Sequence, residues 1–304
     1  MKCLLLFSGG LDSCLAAIIL KNLGFKVEGL YFKTYFFDER KALRMAKRIG
    51  IKLRVVDISK EHLEIVKNPK YGYGKGMNPC LDCKILMFKK AKEIMEREGF
   101  DFIATGEVLN ERPFSQSRKA FKIIEEETSL KGLIVRPLSG RILPKTLIEE
   151  KGIIDRKKLY NIKGKRRKKQ IELAKRFGLK EYPQPAGGCI LTDPQFSKRL
   201  RMLLKACKNP VKSDIELLGS GRNFWRNSAL IVVGRNEEEN EKIKKLARKG
   251  DILIELENYP GPTTLIRAYG GSAKKHLEFA KQLTKRYSRK ARNKNDVRFR
   301  IQEI

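Results

Sequence analysis

The chain has no run of eighteen or more apolar residues, so no membrane-spanning helix is expected. Six cysteines in 304 residues are too few for a disulfide scaffold. The only histidines, His62 and His276, and a single C-x-x-C give little material for a zinc site. Acid is the scarcest resource: 35 Asp and Glu face 67 Lys and Arg, a net charge of +32. Met1 and Lys2 lead directly into an apolar strand and a glycine loop. That leaves no room for a cleaved signal peptide and predicts a cytoplasmic protein. What is present is globular: 41% apolar residues and enough length for two domains.

The basic excess is uneven. Residues 1–150 carry 28 Lys and Arg against 19 Asp and Glu, whereas residues 151–304 carry 39 against 16. Two runs are dense: KGKRRKK over Lys163–Lys169 and KRYSRKARNK over Lys285–Lys294. A charged, heat-adapted surface would carry nearly as much Glu as Lys. The imbalance instead predicts a nucleic-acid partner, because polyphosphates release counterions on binding such fields. Lys163, Lys165, Arg166, Arg167, Lys168 and Lys169 are the expected RNA contacts.

In the first half, strands and helices alternate. Strands are expected over 2–7, 26–32, 52–58, 102–105 and 133–137. Helices are expected over 12–23, 39–49 and 83–98, each followed by glycine. This rhythm predicts a doubly wound parallel α/β sheet, with ligands beyond the carboxyl ends of the strands. Residues 140–200 read as helical and basic, broken by the Pro- and Gly-rich stretch 182–188. The expected domains are 1–200 and 201–304, the second a small basic α+β unit whose regular structure starts near Ser213. In it, strands are expected over 229–233, 251–257, 264–268 and 297–301, and helices over 237–248 and 273–287.

The most informative segment is Ser8-Gly9-Gly10-Leu11-Asp12-Ser13, between the first strand and first helix. Adjacent glycines allow close backbone approach, and successive N–H groups at a helix start form an anion nest. It is not a GxxxxGK[ST] loop, since the lysine is missing. Asn78-Pro-Cys80-Leu-Asp-Cys83 places two thiols at a helix start, where the dipole and a basic surface would favour thiolates. Three readings stay open for this pair: half of a zinc site, a bare or redox dithiol, or an iron–sulfur cluster with Cys189 as third ligand. Three thiolates would leave one iron open for a reactant. Cys3, Cys14 and Cys207 read as packed residues. Thr105–Gln116, reading TGEVLNERPFSQ, is a strand-end loop suited to a nucleotide.

SGGLDS, MNPCLDC, TGEVLNERPFSQ, RPLS and YPQPAGGCILTD occur in this order. Together they resemble the PP-loop ATPases that act as tRNA thiouridine synthases. TGEVL…SQ is similar to the catalytic domain of the ThiI type, and the C-x-x-C with one distant cysteine is similar to the cluster-dependent thiolases. ALIVVGRNEEENEKI…GDILIELENYPGP is similar to the NFACT-type RNA-binding module. Against ordinary 4-thiouridine synthases, these 304 residues lack the THUMP, ferredoxin-like and rhodanese domains.

The resemblance implies adenylation of a uracil carbonyl oxygen of tRNA and its replacement by sulfur, so a tRNA sulfurtransferase. Ser8, Gly9, Gly10 and Ser13 would hold pyrophosphate, Asp12 would position Mg²⁺ or the loop, and Tyr31, Phe32 and Gly106 would hold adenosine. Asp12, Cys80, Cys83 and Cys189 would be catalytic. The implied cofactors are ATP, Mg²⁺ and a [4Fe–4S] cluster on Cys80, Cys83 and Cys189. A persulfide route, with sulfur on Cys80 or Cys83 and Cys189 resolving it, is the alternative. So is a non-catalytic RNA-binding protein with a degenerate loop. The implied partners are tRNA and a sulfur donor, either inorganic sulfide or a carrier protein. A homodimer is compatible with this reading.

Overall fold

The computed structural model describes residues 1–182 and 188–304. The chain divides into two compact units, Met1–Thr192 and Asp193–Ile304. The first holds β1 (Lys2–Leu6), α1 (Leu11–Asn22), β2 (Lys26–Lys33), α2 (Arg40–Ile49), β3 (Lys52–Asp57), α3 (Ser59–Lys67), α4 (Cys80–Glu98), β4 (Phe102–Thr105), α5 (Arg118–Thr128), β5 (Ile134–Val135), α6 (Leu147–Glu150) and α7 (Lys168–Arg176). Its five strands run parallel in the order β3-β2-β1-β4-β5.

Alternation along β1 sets the two faces of this sheet. Cys3, Leu5 and Phe7 face one core with α1, α2 and α7, while Leu4 faces a second core with α4 and α5. Both Cys3 and Cys14 are fully buried, as expected. Strand order reverses between β1 and β4, and that is where a doubly wound sheet opens a crevice.

The parallel α/β sheet is as expected, and three local features are not. The helix expected from Cys83 starts at Cys80, its first turn closed by the Cys83 N–H donating to the Pro79 carbonyl (2.8 Å), and Asp82 in that turn accepts the backbone N–H groups of Lys70 (2.9 Å) and Tyr71 (3.1 Å). Helices α3 and α5 were not foreseen. Residues 140–182 are mostly irregular rather than helical, interrupted at Pro144, Gly152 and Gly164. Arg156 holds this stretch by donating to the Leu143 carbonyl at 2.6 Å and pairing with Glu149. The Pro-rich break falls largely on 183–187, outside the described residues.

His62 on α3 is fully buried between Phe36 and Phe37, each ring centroid 5.6 Å away, and neither ring nitrogen has a partner. Burial lowers its pKa to about 4. In the unfolded chain the imidazole protonates near its ordinary 6.5. Stability is therefore flat above that pH and falls as pH drops from 6.5 towards 4, by about 3 kcal/mol from this residue. His62→Leu is expected to flatten this loss. Denaturant melts at pH 7 and pH 5 measure it, and an equal loss in both proteins would refute the assignment.

The second unit holds α8 (Pro194–Ala206), α9 (Lys212–Leu218), β6 (Arg222–Arg226), β7 (Ala229–Val233), α10 (Glu237–Leu246), β8 (Ile252–Leu256), β9 (Thr264–Ala268), α11 (Leu277–Arg286) and β10 (Phe299–Glu303). Its antiparallel sheet has the order β10-β8-β9-β7-β6. Arg267 is buried beneath it and satisfied by Asp214 (3.0 Å) and Asp251 (2.6 Å). Strand β6 was not foreseen. Its Arg222 and Arg226 lie over Tyr287 and Phe279, 4.6 and 5.1 Å from the ring centroids. Among the described residues no helix is long and apolar enough to cross a membrane.

Candidate active site

The loop Ser8–Ser13 leaves β1 at the crevice. Gly9 has φ +68°, and a Cβ there would lie 2.8 Å from the Ala42 Cα, so only glycine fits against α2. Ser13 Oγ donates to the Gly10 carbonyl (2.9 Å) and lies 3.3 Å from Ser8 Oγ, which itself accepts from Gly10 N–H at 3.3 Å. No side chain caps the amino end of α1, so its first-turn N–H groups stay available to an anion.

Beside the loop is a cavity of about 700 Å³. Its walls include Ser8, Gly10, Asp12, Ser13, Tyr31, Phe32 and Gly106, so all of the nucleotide contacts expected from sequence except Gly9 meet there. Tyr31 and Phe32 are held in the wall by burial, and the Tyr31 hydroxyl donates to the Asp38 carbonyl. Gly106 has a second task. A Cβ there would sit 2.5 Å from the Asp12 carbonyl carbon and 2.6 Å from Ser13 N, so this glycine lets β4 press on the loop.

Five cations in the walls were missed as pocket residues: Lys41, Lys84, Arg112, Lys165 and Arg167. Arg167 Nη2 donates to Asp12 Oδ2 at 3.2 Å. It was expected on an RNA-facing surface, and the structure turns it inward instead, because α7 packs on α1. Lys165 also lines the cavity. Lys163, Arg166, Lys168 and Lys169 remain exposed, and the regular helix begins only at Lys168. Burial raises the Asp12 pKa, opposed by Arg167. Asp12 Oδ1 is buried and has no partner, an acceptor suited to Mg²⁺ carried in with nucleotide phosphates. Lys84 ion-pairs with Glu107 and donates to the Ser115 carbonyl at 3.0 Å.

The segments that carry the three expected thiols are tied together. Met77 N–H donates to the Leu191 carbonyl at 2.9 Å, which ties the loop before Cys80 to the segment after Cys189. The Cys189 carbonyl is fixed by Thr192 N–H (2.8 Å) and Oγ1 (2.7 Å). Cys80 Sγ lies 3.1 Å from Ser115 Oγ. Cys189 lines the nucleotide cavity; Cys80 and Cys83 do not. Burial pushes the Cys83 thiol up, reinforced by the neighbouring Cys80 and Cys189 sulfurs. Burial also raises Cys189, against the Leu191 N–H. The expectation that basic surroundings favour thiolates therefore fails at these two positions: desolvation wins. Among the described residues, no three His, Cys, Asp or Glu side chains are arranged to hold a metal ion. As arranged, the three thiols do not fit a [4Fe–4S] cluster.

Residues 1–131 match the family described as "tRNA methyl transferase HUP domain", and residues 221–303 match "NFACT protein RNA binding domain". A tRNA-specific 2-thiouridylase MnmA of Sulfurimonas denitrificans is 34% identical over 167 residues, covering 52% of this chain and 47% of the relative. The MnmA of Hahella chejuensis is 25% identical over 242 residues, 74% of this chain and 61% of the relative. The chain thus spans about half the length of the curated relatives it matches. A solved 4-thiouridine synthetase–RNA complex with bound ATP aligns at 20% identity and a TM-score of 0.37, over 59% of this chain and 51% of that one. The first unit carries a HUP-type domain similar to the PP-loop tRNA thiouridine synthases, and the second carries a region similar to the NFACT RNA-binding domain.

Proposed function

We propose that this chain thiolates tRNA in an ATP-dependent reaction. The observation that carries the reading is one cavity lined by an intact SGGLDS anion nest and by the Cys189 thiol. The uracil carbonyl oxygen attacks the α-phosphorus of ATP, and pyrophosphate leaves into the nest of Ser8, Gly9, Gly10 and Ser13. The oxygen is then part of AMP, a good leaving group. Arg112, Lys41 and Lys165 oppose the charge of the phosphates, and Asp12, steered by Arg167, keeps Oδ1 free for Mg²⁺.

Sulfur delivery runs through cysteine in this reading. Cys189 is placed to be the carrier, since it lines the cavity; this reverses the roles expected from sequence. A persulfide-bearing donor transfers its outer sulfur to Cys189. That sulfur attacks the activated uracil carbon, and AMP departs with the oxygen. A thiolate of Cys80 or Cys83 attacks Cys189 Sγ, the thiouracil sulfur leaves with the electron pair, and a disulfide remains for a dithiol to reduce. The alternative expected from sequence, a [4Fe–4S] cluster on the same cysteines, has no three-ligand arrangement among the described residues to support it. Iron and sulfide analysis of anaerobically purified protein separates the two. Mass spectrometry of tRNA nucleosides after incubation with ATP and a sulfane donor tests thiolation and tells 2-thio from 4-thio. AMP release without any thiouridine would sink the reading.

RNA grip is assigned to the second unit and to the exposed Lys163, Arg166, Lys168 and Lys169, supported by the charge excess of residues 151–304 and the match over 221–303. Replacing Lys163, Arg166, Lys168 and Lys169 together by Ser is expected to weaken tRNA binding about tenfold at moderate salt and to lower the salt slope. Arg167 and Lys165 are left intact because they line the nucleotide cavity. Filter binding at several salt concentrations reads this directly, and an unchanged slope would show a merely solvated face.

A further inference from the structure

A second cavity of about 680 Å³ lies between α5, β5 and α6, at the β5 edge of the sheet. It shares no lining residue with the nucleotide cavity. Its apolar walls include Phe121, Ile134, Leu143 and Leu147. Arg136, 5% exposed, forms part of the wall and stacks on the Phe121 ring at 3.9 Å. Its Nε donates to Glu107 (3.1 Å) and its Nη1 to Glu125 (2.8 Å), while its Nη2 is buried without any acceptor. A buried guanidinium N–H left unpaired is costly, and it marks where an acceptor belongs.

The acceptor's chemistry follows from the charges. Arg136 and Lys84 are balanced by Glu107 and Glu125, so the cluster has no net charge to offer a free anion. A carbonyl oxygen suits it better than a carboxylate. At the rim, Lys122 is paired with Glu126 (3.7 Å) and Glu149 with Arg156, which leaves the exposed Arg118, Lys131 and Lys145 against the exposed Glu150, a net positive rim. A flat molecule with a carbonyl, carried on a phosphate chain, matches apolar walls, one buried donor and a cationic rim. We propose that this cavity is a subsite for an unpaired nucleobase of the RNA substrate, with Arg136 Nη2 donating to a base carbonyl. The inference rests on the RNA-directed function above. It adds a base-binding position separate from the one where chemistry occurs.

The test uses the full chain and a short single-stranded oligouridylate, with an abasic oligonucleotide of equal length and charge as control. Leu147 and Lys145 are exposed, so Leu147→Asp and Lys145→Glu alter the cavity mouth without touching a core. Leu147→Asp is expected to weaken oligouridylate about tenfold and to leave the abasic control unchanged, because stacking rather than phosphate contact is lost. Lys145→Glu should weaken both. Binding of ATP should match the parent in both variants. A photo-reactive uracil in the oligonucleotide should cross-link to the α5–α6 peptides. If Leu147→Asp weakens base-bearing and abasic probes alike, or the cross-link maps elsewhere, the subsite is refuted even where tRNA thiolation is observed. Cross-linking at α5–α6 in a protein that fails to thiolate would uphold the subsite and refute the reaction instead.

Discussion

Gly106→Ala is expected to abolish most ATP-to-AMP turnover while leaving the chain folded. The added methyl would meet backbone atoms of Asp12 and Ser13 at 2.5–2.6 Å, and backbone cannot swing aside as a side chain can. The loop must move away from β4, carrying the anion nest and Asp12 with it. Overpacking of this kind costs about 1–3 kcal/mol of stability. Displacing the nest by about 1 Å costs about a hundredfold in rate. Pyrophosphate release with tRNA present measures the rate, and thermal unfolding measures the stability. Asp12→Ala should lose turnover similarly but without the stability loss, since it removes a partly buried carboxylate and introduces no clash. Near-parental turnover by Gly106→Ala would show that the loop is not the reacting site.

Cys189→Ser is expected to divide the reaction in two. AMP and pyrophosphate formation should persist, because the nest, Tyr31, Phe32 and the cavity cations are untouched. Thiouridine should fall below detection, because a serine hydroxyl cannot carry sulfur. Cys80→Ser and Cys83→Ser probe the resolving step; replacing the residue that resolves should stop the reaction before any thiouridine is released, with tRNA held on Cys189 through the transferred sulfur. Cys207→Ser should leave both steps as they are. Thiolation by Cys189→Ser at the parental rate would exclude this thiol from sulfur transfer.

The sheet was legible because β1 and β4 are near-continuous apolar runs, the pattern of strands buried on both faces, and glycines end the helices between the strands. The anion nest was legible because SGGLDS is local: its glycines, hydroxyls and helix start are neighbours in sequence. Helix α5 left a readable trace that went unread, with Ser117 capping Ala120 N–H at 3.2 Å and Ala120, Phe121, Ile124 and Thr128 along one face. Arg167 could not be found that way. Its partner Asp12 is 155 positions distant, and nothing in a basic run distinguishes the one arginine that turns inward. The same limit applies to Lys84 and Arg136, which meet only through the buried Glu107. The protonation of the Cys83 and Cys189 thiols was not legible either. Net charge counts every lysine on the surface, whereas a buried sulfur responds to the water it has lost.

The strand order has a consequence for synthesis on the ribosome. β1, β2 and β3 lie within the first 57 residues and can pair as soon as they emerge. The flank of β1 that meets β4 stays open until residue 105 has been made, and it is bordered by Cys3 and Leu5, both fully buried in the finished protein. For that interval the nascent chain presents an unpaired apolar strand edge, a template for association with other chains. Codon-level pausing between residues 57 and 105 should therefore lower soluble yield, and trigger-factor-type chaperones should hold the chain there. Pausing after residue 135, once β4 and β5 are in place, should do little.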